Sequence, residues 1–445
     1  MYELSPPAIY AHESVMGEPR YRARAERVAA ACRNHPQIVT FSDAEVPGLI
    51  DDREILKRRV AMGTLDHVED PVLMFNTFRF DPEGVASAEV LGQRLAEMER
   101  GGGHVGEALS GRGAFRWHGY NQKGDCHGAD KVCRPCWRIH LQQGCAHRCL
   151  YCGLGGLLVA MVNVEDYCRH LRGIIEAHPW QQTYLLDDDA DPPCLEPELG
   201  VLGPLIEFFG TLRNRYLIIH TKTWNTEWLR GLKHNGNTIV VWSLSGRTQS
   251  ELIEARAGTT GQRIEAARVA EAAGYPIRYK FKPILPVRSW REDAAEAVEL
   301  ALSRTHPDII SLCSFMWMDI DEMKSRLAGV ADLLDPGFME AAELAREEVR
   351  DTRTRPFPLQ MRAGIYDHYL TEIRRHSAEV PVSLSTESFE MWKHFGEKLG
   401  MTATNYVCGC GPQCVPGATR LVDHPFRVAV RKPLDFPGAT VAIGE

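Results

Sequence analysis

The sequence predicts an α/β protein built on a partial (β/α)6 barrel, with an irregular N-terminal segment before it and a mainly helical C-terminal extension after it. Two observations point to the barrel. From Trp137 onward, short apolar runs alternate with amphipathic segments, the pattern of repeated β-α units on a parallel sheet. A cysteine-rich loop also follows the first of these runs, where parallel barrels place their chemistry. The organisation expected is an N-terminal segment over 1–136 with a Cys-rich end, the barrel over 137–327, and an extension over 328–445 with a second Cys-rich motif.

Taken in order, helices are expected over the Arg-rich stretch 20–33 and over 87–100, where Gly101, Gly102 and Gly103 break the chain. Six strands are expected over 137–141, 183–186, 216–220, 238–244, 277–284 and 309–312. Between the fourth and fifth, Thr259 or Thr260 caps a helix whose buried stripe is Ile264, Ala267, Val269 and Ala270. Gly274 and Pro276 end it. The aromatic group 314–321 after the sixth strand reads as core. In the extension, Asp335 and Pro336 suit an N-cap and first helical position, opening a helix over 336–350. A helix over 355–375, a strand over 380–384 and a helix within 385–396 follow.

Composition fits an ordered globular chain of 445 residues, 44% hydrophobic and 25% charged. A net charge of −8 argues against affinity drawn mainly from broad phosphate neutralisation, so nucleic acid is not the favoured partner. The N-terminus lacks a basic region followed by an apolar one, and no run of about 18 apolar residues occurs. A cytoplasmic protein with no membrane partner is therefore expected. Thirteen cysteines in groups read as metal ligands in a reducing compartment rather than as a disulfide framework.

The sharpest group is GCAHRCLYC, in which Cys145, Cys149 and Cys152 stand in a C-x3-C-x2-C run. Three soft thiolates on one tight loop can hold three irons of a [4Fe-4S] cluster and leave the fourth iron open. Two further triplets flank the barrel: Cys126, Cys133 and Cys136 before it, and Cys408, Cys410 and Cys414 near the C-terminus. Glycines and prolines between them favour metal-wrapping loops. An auxiliary [4Fe-4S] cluster, zinc and reactive thiols stay open as readings. His118, His127 and His140 lie near enough to be ligands but read as polar loop or strand-end residues.

The spacing of Cys145, Cys149 and Cys152 matches the motif of radical S-adenosylmethionine (SAM) enzymes. Within that superfamily, 137–317 resembles the spore photoproduct lyase family. The segments that carry the likeness are AGTTGQRIEAARVAEAAGYPIRYKFKPI (257–284), HTKTWNTEWL (220–229) and VVWSLSG (240–246). The resemblance implies reductive cleavage of SAM to a 5′-deoxyadenosyl radical, fed by a reductant such as flavodoxin or ferredoxin. Hydrogen abstraction from a small-molecule, nucleotide or peptide substrate would follow, as a lyase or oxidoreductase reaction. It further implies that Lys222, Ser243 and Ser245 contact SAM. A Lys ammonium suits a carboxylate, and a strand-end hydroxyl suits the same ligand. Tyr151, between the second and third cysteines, matches the family. Gly153 does not, because a Tyr is expected there. The family's hydrogen-donating cysteine is expected near the end of the second strand, where this chain has Asp187, Asp188, Asp189 and Asp191, with Cys194 a few residues late. Asp187 and Asp188 are candidates for the SAM amino group, with a solvated acidic turn as the alternative. Lesion repair of the spore photoproduct lyase type and a non-catalytic redox-sensing cluster protein are the competing readings.

Overall fold

The structure is a computed structural model and describes residues 1–51, 70–98, 103–119, 131–421 and 439–442. Apolar runs buried on both faces must pair their backbone groups, and here they do so as a parallel sheet. Cys136–Ile139, Thr183–Leu186, Tyr216–Thr221, Thr238–Leu244, Ile277–Ile284 and Ile310–Ser314 lie side by side in chain order. Every neighbouring pair among these six is parallel. Helices Val164–Ala177, Leu202–Gly210, Thr260–Ala272 and Trp290–Arg304 carry four of the crossovers, and the short turn Glu227–Leu229 lies in the remaining one. Thr259 caps the helix before the fifth strand through a capping box with Gln262, and Gly274 follows it at φ +91°.

Further strands extend this sheet at both edges. Val382–Leu384 pairs parallel beside the sixth strand; Phe115–His118 pairs antiparallel beside the first, with Ala439–Ala442 beyond it. In the extension, helices Pro336–Leu344, Leu359–His376 and Phe389–Leu399 agree in kind with the expected pattern. The Asp335 carboxylate accepts the amides of Gly337 and Phe338. Among the described residues no helix is long and apolar enough to cross a membrane.

The N-terminal segment corrects the expectation of irregular structure. Ile9–His12, Ile38–Phe41 and Val72–Asn76 form a parallel sheet, joined by Leu157–Met161 and Gln142–Gln143. The two sheets interlock across position 136: the chain leaves the large sheet at Ile139, joins the N-terminal sheet, and returns at Thr183. The cysteine loop lies inside that excursion.

Candidate active site

Parallel strands direct the loops after their C-terminal ends to one side, and there the structure holds a cavity of about 500 Å³. Cys145, Cys149, Cys152, Tyr151, Lys222, Ser243, Asp187 and Asp188 all line it. Backbone hydrogen bonds fix the cysteine loop: Cys145 N to Leu154 O at 2.8 Å, Cys152 N to Cys149 O at 2.9 Å and Leu150 N to Ile253 O at 3.0 Å. Gly144 precedes it at φ +91°, where an added Cβ would lie 2.0 Å from the Leu157 carbonyl oxygen, so this entry turn requires glycine. Arg148–Cys149 then pairs antiparallel with Glu254–Ala255, tying the loop to the segment after the fourth strand.

The donor set suits an iron-sulfur cluster. No three sulfurs of the described cysteines all lie within 4.8 Å of one another. Thiolates around one tetrahedral zinc stand only about 3.8 Å apart, as Zn–S bonds of about 2.3 Å require. Burial pushes the Cys149 thiol up to about 12 and raises Cys145 and Cys152 as well. Cationic metal is what would bring such thiols into their ligating thiolate form. Lys222 Nζ, 3.9 Å from Cys149 Sγ, favours the same form.

Sequence reasoning missed the centre of this site, Glu254. Its fully buried carboxylate accepts hydrogen bonds from Lys222 Nζ (2.8 Å), Tyr151 Oη (2.5 Å), Gln249 Nε2 (2.9 Å), Ser245 Oγ (3.0 Å) and Arg263 Nη2 (2.6 Å). Burial opposes its charge, yet Lys222 and Arg263 outweigh that and hold it well below the usual carboxylate range. A signal for this was present: Arg263 falls on the apolar stripe of its helix with Ala267 and Ala270, all three buried. A buried Arg asks for a carboxylate partner.

The remaining candidates divide. Ser243 faces the cavity, whereas Ser245 is 1% exposed with its hydroxyl given to Glu254. Asp187, at φ 41°, folds its carboxylate back onto the amides of Leu141 (3.2 Å) and Gln142 (3.1 Å) and onto His140 Nδ1 (3.2 Å). Asp188 pairs with Arg138. Asp191, not singled out as a ligand, accepts Lys222 N (2.7 Å) and Thr221 Oγ1 (2.8 Å) at the third strand's end. Burial pushes it up to about 6. Cys194 is fully buried in the turn Pro192–Leu195, and the cavity wall does not include it. Beneath the loop, His147 Nε2 meets Tyr2 Oη at 2.9 Å, and Thr223 Oγ1 donates to the same oxygen.

Cys133, Cys408 and Cys410 line the same cavity, which brings members of both flanking triplets to its wall. Cys126 lies outside the described residues. Cys136 is 5% exposed on the first strand, Lys280 Nζ lies 3.7 Å from Cys410 Sγ, and the Cys408 amide donates to Cys414 Sγ at 3.3 Å. A hydrogen bond from Cys408 lowers Cys414 to about 7. The aromatic group after the sixth strand serves two purposes: Phe315, Met316 and Met318 are buried, and together with Trp317 they form cavity wall. Basic residues also line the cavity, namely Lys131, Arg138, Lys280, Lys282 and Arg353, with Lys282 Nζ 4.5 Å from the Trp317 ring centroid.

A parallel sheet in chain order thus carries a three-cysteine loop after its first strand. Residues 133–314 match the family model of spore photoproduct lyase, in line with the resemblance carried by 137–317. It is 25% identical over 180 residues to spore photoproduct lyase of Clostridium acetobutylicum, covering 38% of this chain and 54% of that protein. Against the enzyme of Geobacillus sp. (strain Y412MC61) it is 26% identical over 168 residues, covering 35% and 48%. The chain thus spans about half the length of the curated relatives it matches. Among solved structures, spore photoproduct lyase with bound AdoMet and dinucleoside spore photoproduct superposes with a TM-score of 0.56 at 16% identity. The match covers 86% of this chain and 99% of that one. A spore photoproduct lyase complexed with dinucleoside spore photoproduct gives 0.55 at 15%, with the same coverage.

Proposed function

We propose that this chain is a radical SAM enzyme of the lyase type that acts on a nucleotide-class substrate, with its six-strand run curved as a partial barrel around the site. The observation that supports this most is the shared cavity, which is lined by the three-cysteine loop together with basic and aromatic residues. Cys145, Cys149 and Cys152 would hold a [4Fe-4S] cluster, which with SAM supplies a 5′-deoxyadenosyl radical. Lys222 and Ser243 stand where the carboxylate and ribose of SAM would be met, and Glu254 keeps Lys222 charged and in place. Lys280, Lys282 and Arg353 suit phosphate oxygens, while Trp317 and Phe315 suit a base plane. The relatives' dinucleoside ligand supports the same substrate class.

Anaerobic incubation with dithionite and SAM, with and without an ultraviolet-irradiated thymine dinucleotide, tests the proposal. Formation of 5′-deoxyadenosine that requires Cys145, Cys149 and Cys152 supports the radical SAM reading, and its absence from the reconstituted wild type refutes it. Repair of the dinucleotide would establish lesion-repair chemistry. The burial of Cys194 away from the cavity and Gly153 after the third cysteine favour a different nucleotide substrate. Cys133, Cys136, Cys408, Cys410 and Cys414 are further proposed to hold an auxiliary [4Fe-4S] cluster. About eight irons per reconstituted chain support it, and about four, unchanged in Cys408→Ser, refute it.

A further inference from the structure

His118 ends the strand that pairs antiparallel with Cys136–Ile139, His140 follows that first barrel strand, and Asp188 follows the second. Strand alternation puts Arg116, His118, Cys136 and Arg138 on one face, toward which His140 also turns. The two imidazole rings lie 6.1 Å apart between centroids, and one ligand atom from each of His118, His140 and Asp188 falls within 4.8 Å of the other two. This is the one such group among the described residues.

A second observation concerns His140 alone. The residue is 4% exposed, its Nδ1 lies 3.2 Å from Asp187 Oδ1, and its buried Nε2 has no hydrogen-bond partner among the described residues. With Nδ1–H given to Asp187, Nε2 carries a lone pair that no described residue uses. A carboxylate on the far nitrogen of an imidazole is the arrangement that orients metal-binding histidines. The two backbone amides that Asp187 accepts fix that carboxylate in turn. The nearby guanidiniums already have counter-charges: Arg116 pairs with Glu107 at 2.8 Å and Arg138 with Asp188.

We propose that His118, His140 and Asp188 bind one divalent transition-metal ion, zinc by the chemistry of two imidazoles and a carboxylate. A fourth coordination position is then left for water or a substrate oxygen at the cavity that Asp188 lines. Such an ion would hold an anionic group of the substrate a short distance from the three-cysteine loop. The site stands independently of SAM chemistry.

The test is zinc binding by the full-length, anaerobically reconstituted protein after chelator treatment, using Zn2+ alone, metal analysis and zinc-edge X-ray absorption. One zinc per chain with only nitrogen and oxygen neighbours is expected. His140→Ala should abolish it, and Asp187→Asn should weaken it about 10- to 100-fold through His140. Because His140 is buried, Asp188→Asn is the decisive variant: its side chain is 27% exposed, and it should weaken zinc binding at least about tenfold. Circular dichroism of the metal-free variant should match the wild type. No bound zinc, zinc with sulfur neighbours alone, or undiminished affinity in Asp188→Asn would each overturn the proposal.

Discussion

Cys149 and Glu254 face each other as register partners of a two-residue antiparallel ladder. The ladder fixes the distance between the cysteine loop and the carboxylate that gathers Lys222, Tyr151, Gln249, Ser245 and Arg263. Lys222 Nζ sits between the two partners, 2.8 Å from Glu254 Oε1 and 3.9 Å from Cys149 Sγ. Its position is therefore set before any ligand arrives.

Arg263 and Glu254 form an ion pair with both side chains fully buried. Arg263→Met should leave Glu254 short of a counter-charge in a dry setting and cost about 3–5 kcal/mol of stability. Urea denaturation measures this, and a loss under about 1 kcal/mol would show that Lys222 alone suffices.

Lys222→Ala is expected to weaken SAM binding by about 1.5–3 kcal/mol, the worth of a charge-assisted hydrogen bond. Equilibrium binding to the cluster-loaded protein checks it. An unchanged dissociation constant would confine Lys222 to its contacts with Glu254 and Tyr151.

Gly144→Ala places a Cβ against the Leu157 carbonyl in a backbone conformation that costs an L-residue about 1–2 kcal/mol before any clash. A thermal shift downward, together with lower iron retention after gel filtration, is the expected result. Wild-type iron content in the variant would mean that the loop tolerates a different entry.

The N-terminal sheet carries an acid-sensitive contact remote from the cysteines. Burial works against the charge on Asp43, but hydrogen bonds from Arg79 (2.6 Å for Nη2) and His12 (3.2 Å) outweigh it and hold the carboxylate below its ordinary range. A depressed folded-state value contributes stability above the unfolded value near 3.9 and loses it as pH falls through the folded one. Asp43→Asn should thus lower stability at pH 7 and lose most of that difference near pH 2. Denaturation curves at the two pH values decide it; a constant difference would exclude the linkage.

The six central strands were legible in the sequence because each is a short run rich in apolar residues bounded by turn residues, with Arg278, Lys280 and Lys282 alternating with apolar residues in the fifth. Cys145, Cys149 and Cys152 were legible because their spacing is chemical information in itself. Glu254 was not: one acidic residue in ELIEARAG has no local feature that distinguishes it from a solvated charge, and its role exists only once the fold brings Arg263 and Lys222 to it. Ser245 and Cys194 show the converse. Position along a strand or turn placed them near the site, but not which way their side chains would turn. The N-terminal sheet was hidden because two of its five strands, Gln142–Gln143 and Leu157–Met161, come from beyond position 136.

That borrowing bears on how the protein comes apart. The segment with the three cysteines is bounded by Gln142–Gln143 and Leu157–Met161, and the latter pairs with Val72–Asn76 over five residues. A fragment cut at 137 would expose the unpaired edge of Leu157–Met161, an apolar strand that invites self-association. Loss of the N-terminal sheet would also release both ends of the loop at once. The two sheets should therefore melt in a single cooperative step, and proteolysis within the first hundred residues would loosen the three-cysteine loop without cutting it.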